Sequence, residues 1–311
     1  MGTSFTVKFL ADHNKTGIES LENSIHMLLD EINQGMSTYL PDSELSMINN
    51  NTGDDWMPLS RNLYIVIKNA LSISEQTDGA FDITIGPLVN LWGFGPGQKP
   101  DTTPSDQVIR QYLQNTGYKL LQLRSEPFAL KKSRPSVYID LSGIAKGFAV
   151  DQIASLLEAR KIHNYMIEIG GEIRARGHNH NNKIWRIGIE KPLYESRAIQ
   201  DVIELNNTAM ASSGDYRNYY EIDGNRFSHT IDPGTGRPVT HNLAAVTVLH
   251  DSAMIADALA TAIMVMGAEK GGRYATEHGY AALLVTRDIN MNTVTGLYTG
   301  NFREYIVEKA E

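Results

Sequence analysis

Apolar and polar positions along this chain switch repeatedly between a period of two and a period near 3.6. Residues 3–10 (Thr-Ser-Phe-Thr-Val-Lys-Phe-Leu) favour β-branched or aromatic types and partly alternate, which predicts a strand. From Glu19, the apolar residues Leu21, Ile25, Leu28, Leu29 and Ile32 recur at helical spacing. Ser60 can cap a second helix that runs to Asp78-Gly79, and Ser105 a third that ends near Gly117. Strands are predicted at 119–124, 127–131 and 137–141. Residues 138–151 then read as a strand that turns into a helix. Further strands are predicted at 164–169 and 172–177, joined by Gly170-Gly171, then at 184–189, 199–205, 217–222 and 225–231. Asp223-Gly224 is a strong hairpin turn for the last pair. A strand at 243–250 leads into an alanine-rich helix through Asp257. A short helix near 268–278 and two or three final strands close the chain. Interspersed helices and strands with hairpin-like spacings predict an α+β fold with largely antiparallel sheets. Residues 138–158 and 246–266 share one plan of strand, Asp and helix, which suggests an internal duplication.

Two stretches break this regularity. Residues 81–99 are rich in Gly and Pro yet more apolar than a solvated linker. Phe227-Ser-His-Thr-Ile-Asp-Pro-Gly-Thr-Gly-Arg-Pro238 packs a histidine, a carboxylate, hydroxyls, two prolines and two glycines into one run. Proline lacks a donor and glycine suits tight turns, so this backbone is bent to hold polar groups in place.

Composition narrows the function. The net charge is −8 and there is no basic run, which argues against a nucleic-acid partner. The chain contains no cysteine, so disulfides, thiolate metal sites and thiol nucleophiles are excluded. No apolar run is long enough to span a bilayer. The first residues lack a basic region followed by an apolar one, so no secretory signal is expected. Read literally, the chain is cytoplasmic.

Several residues can carry chemistry. Asp140-Leu-Ser-Gly-Ile-Ala-Lys-Gly147 lies where a strand is expected to become a helix. A helix N-terminus with nearby glycines and Lys146 suits phosphate, although the spacing is not that of a P-loop. Asp257 and Thr261 are four apart on one helix face, and such oxygens suit a hard cation; packing or a lysine partner are the alternatives. His229, three residues before Asp232, is a natural proton acceptor or a structural histidine. Tyr39 can stack on a flat ring, and Met1, if ordered, can do something similar. Asp82, after Ala80-Phe81, can accept from an adenine amine or a ribose, or merely close a turn. Gly93, Gly95 and Gly97 interrupt an aromatic segment and suit a wall against a flat ligand. His178 and His180 sit in a polar run that reads as a solvated loop.

Taken together, Met36-Ser-Thr-Tyr39, Phe81 to Gly95, Asp140 to Gly147, Ile169-Gly-Gly-Glu172, Ser212 to Tyr220, Ser228 to Pro238 and Ala256-Asp-Ala-Leu-Ala-Thr261 resemble the ApbE family, the FAD:protein FMN transferases. The resemblance runs through nearly the whole chain and implies a single ApbE-like domain over 1–311. It implies an enzyme that binds FAD with Mg2+, cleaves the pyrophosphate and places FMN on a threonine or serine of a target flavoprotein, releasing AMP. It places FAD contacts on Met1, Tyr39, Ala80, Phe81, Asp82, Asp140, Lys146 and Ile231. It places magnesium on the Gly143 carbonyl, Asp257 and Thr261. Ser142 stands where many relatives have glycine, beside the phosphates.

Within that frame, His229 is the expected base for the acceptor hydroxyl, with Asp232 orienting it or shaping the turn. If water replaces the hydroxyl, the same site makes a magnesium-dependent FAD pyrophosphatase. A non-catalytic FAD-binding protein is the third reading. Many relatives are lipoproteins on the periplasmic face of the inner membrane, so a periplasmic chain with its leader removed is the alternative to a cytoplasmic one.

Overall fold

In the computed structural model, residues 2–10, 15–95, 100, 102–193, 198–215, 219–222, 225–288 and 293–309 are described. The chain divides into two units. The first takes in Met1–Asp30, Lys146–Arg217 and Asn242–Glu311, the second Glu31–Ala145 and Asn218–His241.

The first unit is built on a seven-stranded sheet in which every neighbouring pair is antiparallel. Its strands, in spatial order, are Phe5–Leu10, Asn164–Ile169, Glu172–Arg176, Thr208–Gly214, Leu243–His250, Ala281–Asp288 and Thr293–Thr299. A three-stranded antiparallel sheet of Ile306–Lys309, Ile199–Leu205 and Trp185–Glu190 accompanies it. One buried cluster joins residues of both sheets, including Ile173, Met210, Leu283, Ile187 and Ile203. Alternation explains the choice: Trp185, Ile187 and Ile189 are buried while Arg186 and Gly188 are exposed. The helix Ala253–Glu277 packs against the central strands Thr208–Gly214 and Leu243–His250. It breaks at Gly267 (φ 78°, ψ 175°), where the sequence predicts separate helices.

The second unit holds the helix Arg61–Gln76, capped by Ser60, whose side chain accepts from Leu63 N–H. The short helix Gly86–Leu91 lies inside the glycine-rich stretch, and Asp106–Leu113 is capped by Ser105. It also holds the helix Glu44–Asn50 and three small antiparallel sheets: Met57–Pro58, Phe128–Lys132 and Leu121–Ser125; Tyr219–Ile222 with Asn225–Ser228; and Ile231–Asp232 with Arg237–Pro238. The α+β, antiparallel expectation therefore holds.

Three expectations are corrected. No strand forms at 137–141. The segment's backbone hydrogen bonds go elsewhere: Ile139 N–H donates to the Asn49 side chain, Asn49 Nδ2 donates back to the Ile139 carbonyl, and Asp140 N–H donates to the Ile83 carbonyl. The strand–Asp–helix plan is thus present in 246–266 and not in 138–158, where only the helix Ala145–Ala159 follows. The strand predicted over 225–231 stops at Ser228 and resumes as Ile231–Asp232 with a different partner. Thr208–Gly214, unpredicted, is a central strand. The turn residues Asp223-Gly224 lie outside the described residues, although the strands flanking them pair.

Candidate active site

The first unit assembles a buried charge cluster at the start of the helix Ala145–Ala159. Lys146 Nζ stands 3.2 Å from Glu172 Oε1 and 3.4 Å from Asp257 Oδ1. Asp257 is only 3% exposed and Glu172 only 2%. Gly147 N–H donates to Asp257 Oδ2 at 3.1 Å, so the first turn of one helix reads the carboxylate on the other. That approach requires glycine, because a Cβ on Gly147 would collide with the Ala253 carbonyl and lie 2.7 Å from Met254 Cα. Thr261, one turn beyond Asp257, lies 3.3 Å from Ser213 Oγ through its hydroxyl.

A second latch holds the same two helices. Asp151 Oδ1 accepts from Ala253 N–H at 3.0 Å and from Arg174 at 2.6 Å. Its Oδ2 accepts from the Ser252 hydroxyl at 2.6 Å and from Met254 N–H at 3.1 Å. Asp151 therefore fixes the N-terminus of the Asp257 helix one turn from where Gly147 meets it.

Electrostatics follow from burial. Desolvation would lower the Lys146 pKa, but the Asp257 and Glu172 carboxylates beside it hold it above the usual lysine range. Burial, reinforced by the Asp257 charge, pushes the Glu172 carboxyl up, and Lys146 opposes that only in part. Glu172 Oε2 is buried and has no hydrogen-bond partner among the described residues. The cluster thus carries spare oxygen-donor capacity.

The second unit places the other candidates. Ile231 is 4% exposed and packs in an apolar cluster with Leu88, Trp92 and Ile109. Trp92 Nε1 donates to the Gly236 carbonyl at 2.8 Å, tying the turn to the short helix. Gly236 has φ 68°, and a Cβ there would press on Ile109, so the turn needs glycine. Phe94 makes an edge contact with the His229 ring at 6.2 Å and a tilted one with Tyr220 at 5.0 Å. His229 is half-buried in the bend between Asn225–Ser228 and Ile231–Asp232. The Asp232 carboxylate accepts from Gly234 N–H at 2.8 Å and from the Thr235 hydroxyl at 3.0 Å, so it shapes the turn.

Asp82 is 6% exposed; its carboxylate accepts from Thr84 N–H, the Thr84 hydroxyl and Tyr118 N–H. Burial pushes its carboxyl up against those hydrogen bonds. Phe81 is buried and Ala80 half-buried beside it. Asp140 Oδ1 accepts from Ser142 N–H at 2.7 Å, which closes the turn that carries Gly143. Tyr39 is 69% exposed, on a turn where Ser37 Oγ accepts from the Tyr39 and Leu40 N–H groups. Met1 and Gly97 lie outside the described residues.

Sequence reasoning gave no role to Glu172 or Asp151. Glu172 appeared within a glycine motif, but only strand register and burial place it against Lys146. Asp151 is one turn after Gly147, a spacing that signals a shared helix face.

The donor chemistry fits a hard divalent cation. A buried carboxylate and a hydroxyl sit one turn apart on one helix, and magnesium takes few protein oxygens because it shares substrate phosphates and keeps water. Among the described residues no group of three or more His, Cys, Asp or Glu is arranged to hold a metal by itself.

An antiparallel α+β protein with a half-buried lysine held between two buried carboxylates, and a hydroxyl one helical turn from one of them, has the equipment of an enzyme that handles an anionic substrate. Comparison with known proteins specifies which. Residues 1–284 match the model of the ApbE family. A relative named FAD:protein FMN transferase from Vibrio cholerae serotype O1 is 45% identical over 287 residues, 92% of this chain and 85% of the relative. One of the same name from Escherichia coli K12 is 40% identical over 290 residues, 93% and 82% of the two chains. The solved flavin transferase ApbE from Vibrio cholerae superposes with a TM-score of 0.90 at 41% identity, covering 98% of this chain and 96% of that one. The apo flavinyl transferase ApbE of Pseudomonas stutzeri gives 0.89 at 35% identity, covering 100% and 95%. The chain belongs to the ApbE family, and it is a transferase.

Proposed function

We propose that this chain, acting as one flavin transferase domain over 1–311, is a magnesium-dependent FAD:protein FMN transferase that releases AMP. The observation that carries the reading is the Lys146–Glu172–Asp257 cluster, which keeps a cation and spare carboxylate oxygen on a buried helix start. The names of its relatives support the same substrate. By the family resemblance Met1, Tyr39, Ala80, Phe81, Asp82, Asp140, Lys146 and Ile231 would contact FAD. By the same resemblance the Gly143 carbonyl, Asp257 and Thr261 would hold magnesium, which would supply positive charge at the pyrophosphate.

In the reaction a threonine or serine hydroxyl of a flavoprotein forms a bond to the phosphorus of the FMN half. The bond from that phosphorus to the bridging oxygen breaks, and AMP leaves with the electron pair. His229 takes the hydroxyl proton on a ring nitrogen. Asp232 keeps the His229 turn in shape through Gly234 and Thr235. Lys146 offsets charge that grows on the departing phosphate.

Incubation with FAD, Mg2+ and an acceptor flavoprotein tests this. Flavin fluorescence that survives a denaturing gel is the expected result. Free FMN with an unlabelled acceptor would replace the reading by a pyrophosphatase. Tight FAD binding without AMP would replace it by a carrier.

A further inference from the structure

The first unit has a groove of about 840 Å³ that includes none of the proposed FAD, magnesium or catalytic residues. It lies where two sheet edges come together. The strand Phe5–Leu10 is outermost in the seven-stranded sheet, and Trp185–Glu190 is outermost in the three-stranded one. Phe5–Leu10 pairs on one side with Asn164–Ile169, and on its other side no strand pairs with it among the described residues. Trp185–Glu190 pairs with Ile199–Leu205, and just before it Ile184 bridges to His178, so the free edge the groove offers is that of Phe5–Leu10. The floor is apolar, with Met166 and Trp185 contributing. Every charged side chain lining it is basic: Lys8, Lys183 and Arg186. In a chain of net charge −8 this is a local reversal of sign.

The cations are placed by structure. The Asn179 side chain accepts from the Asn181 and Lys183 N–H groups, and Asn179 N–H donates to the Lys183 carbonyl, so the loop that presents Lys183 and His180 is tied to itself. Arg186 Nε meets Glu204 Oε1 at 3.0 Å and is partly neutralised. Lys8 and Lys183 have no carboxylate partner among the described residues, and both are exposed.

Edge lysines also discourage sheet-to-sheet aggregation. That role does not call for an apolar floor between two edges. We infer that this groove docks an acidic, extended segment of the flavoprotein that receives FMN, adding it as a strand to a free edge while its carboxylates meet Lys8 and Lys183. This rests on the transferase reading given above. A polypeptide fits better than an anionic lipid surface, because unpaired edge N–H and C=O groups want backbone partners that a lipid lacks.

The probe is a fluorescein-labelled peptide of about eight residues, alternating glutamate and valine. Its binding to the full chain is followed by anisotropy, without FAD. Saturable binding is expected at low salt. It should weaken about tenfold in Lys8→Glu/Lys183→Glu, and progressively with added salt. Lys68→Glu/Lys270→Glu makes the same change in net charge at exposed sites elsewhere and should leave binding unaltered. Lys8→Gln/Lys183→Gln, a milder change, should give an intermediate loss.

No saturable binding, equal loss in the control pair, or retention by anionic phospholipid vesicles instead of the peptide would each overturn the inference. In parallel, transfer to an acceptor flavoprotein by the charge-reversed groove variant should show a raised KM for acceptor with kcat unchanged. If the wild-type chain binds the peptide but never labels an acceptor, the transferase reading falls and the docking groove stands as a peptide site. If it labels the acceptor but ignores the peptide, the docking inference falls alone.

Discussion

The two sets of polar residues solve opposite problems. Around Lys146, charges are removed from water and depend on one another: two nearly inaccessible carboxylates share one ammonium, and one carboxylate oxygen is left over. Around His229, the carboxylate is satisfied locally. Asp232 is used by its own turn, and the imidazole stands against an aromatic edge, half-buried. The first arrangement couples function to folding, since removing Lys146 leaves two buried carboxylates side by side without a cation. The second separates them, since the turn survives without the imidazole.

That contrast can be broken by substitution. Lys146→Met should have the largest effect. It strands Asp257 and Glu172 together, at a cost on the order of 3 kcal/mol to stability, with transfer lost. Urea unfolding alongside a labelling assay checks both. Gly147→Ala should cost about 2 kcal/mol, because its Cβ meets the Ala253 backbone and the helices must part. Full activity in that variant would show that the close approach does not position Asp257.

Asp151→Asn should cost about 1–2 kcal/mol through the weakened cap, with its charge pairing to Arg174 removed. The magnesium concentration needed for half-maximal transfer should rise as well, which a general loss of stability would not produce. The smallest effect on folding belongs to His229→Ala, within about 0.5 kcal/mol of wild type. Yet FAD binding should persist while transfer disappears. A large fall in melting temperature there would erase the distinction between the two sets.

Periodicity made much of this legible. The i, i+4 spacing of Asp257 and Thr261, the Ser60 and Ser105 caps and the Gly267 break all rest on local geometry. What was hidden depends on long-range placement. Thr208–Gly214 is a central strand, and its small residues, buried from Thr208 to Ala211, show no alternation to read. Residues 137–141 look like a strand because they are mostly apolar, with β-branched and aromatic types, but a side chain, Asn49, takes the place of a neighbouring strand. Glu172 meets Lys146 only through the register that sets Glu172 opposite Ile169, which no local pattern reports. The Asp232 turn was legible as a bend, while its pairing of Ile231 with Pro238 was not.

The most direct test is the intact mass of an acceptor flavoprotein after incubation with this chain, FAD and Mg2+. One FMN linked through phosphate to a threonine or serine is expected, with an equal amount of AMP, and neither product from His229→Ala. An acceptor of unchanged mass beside consumed FAD, or equal labelling by the histidine variant, would contradict it.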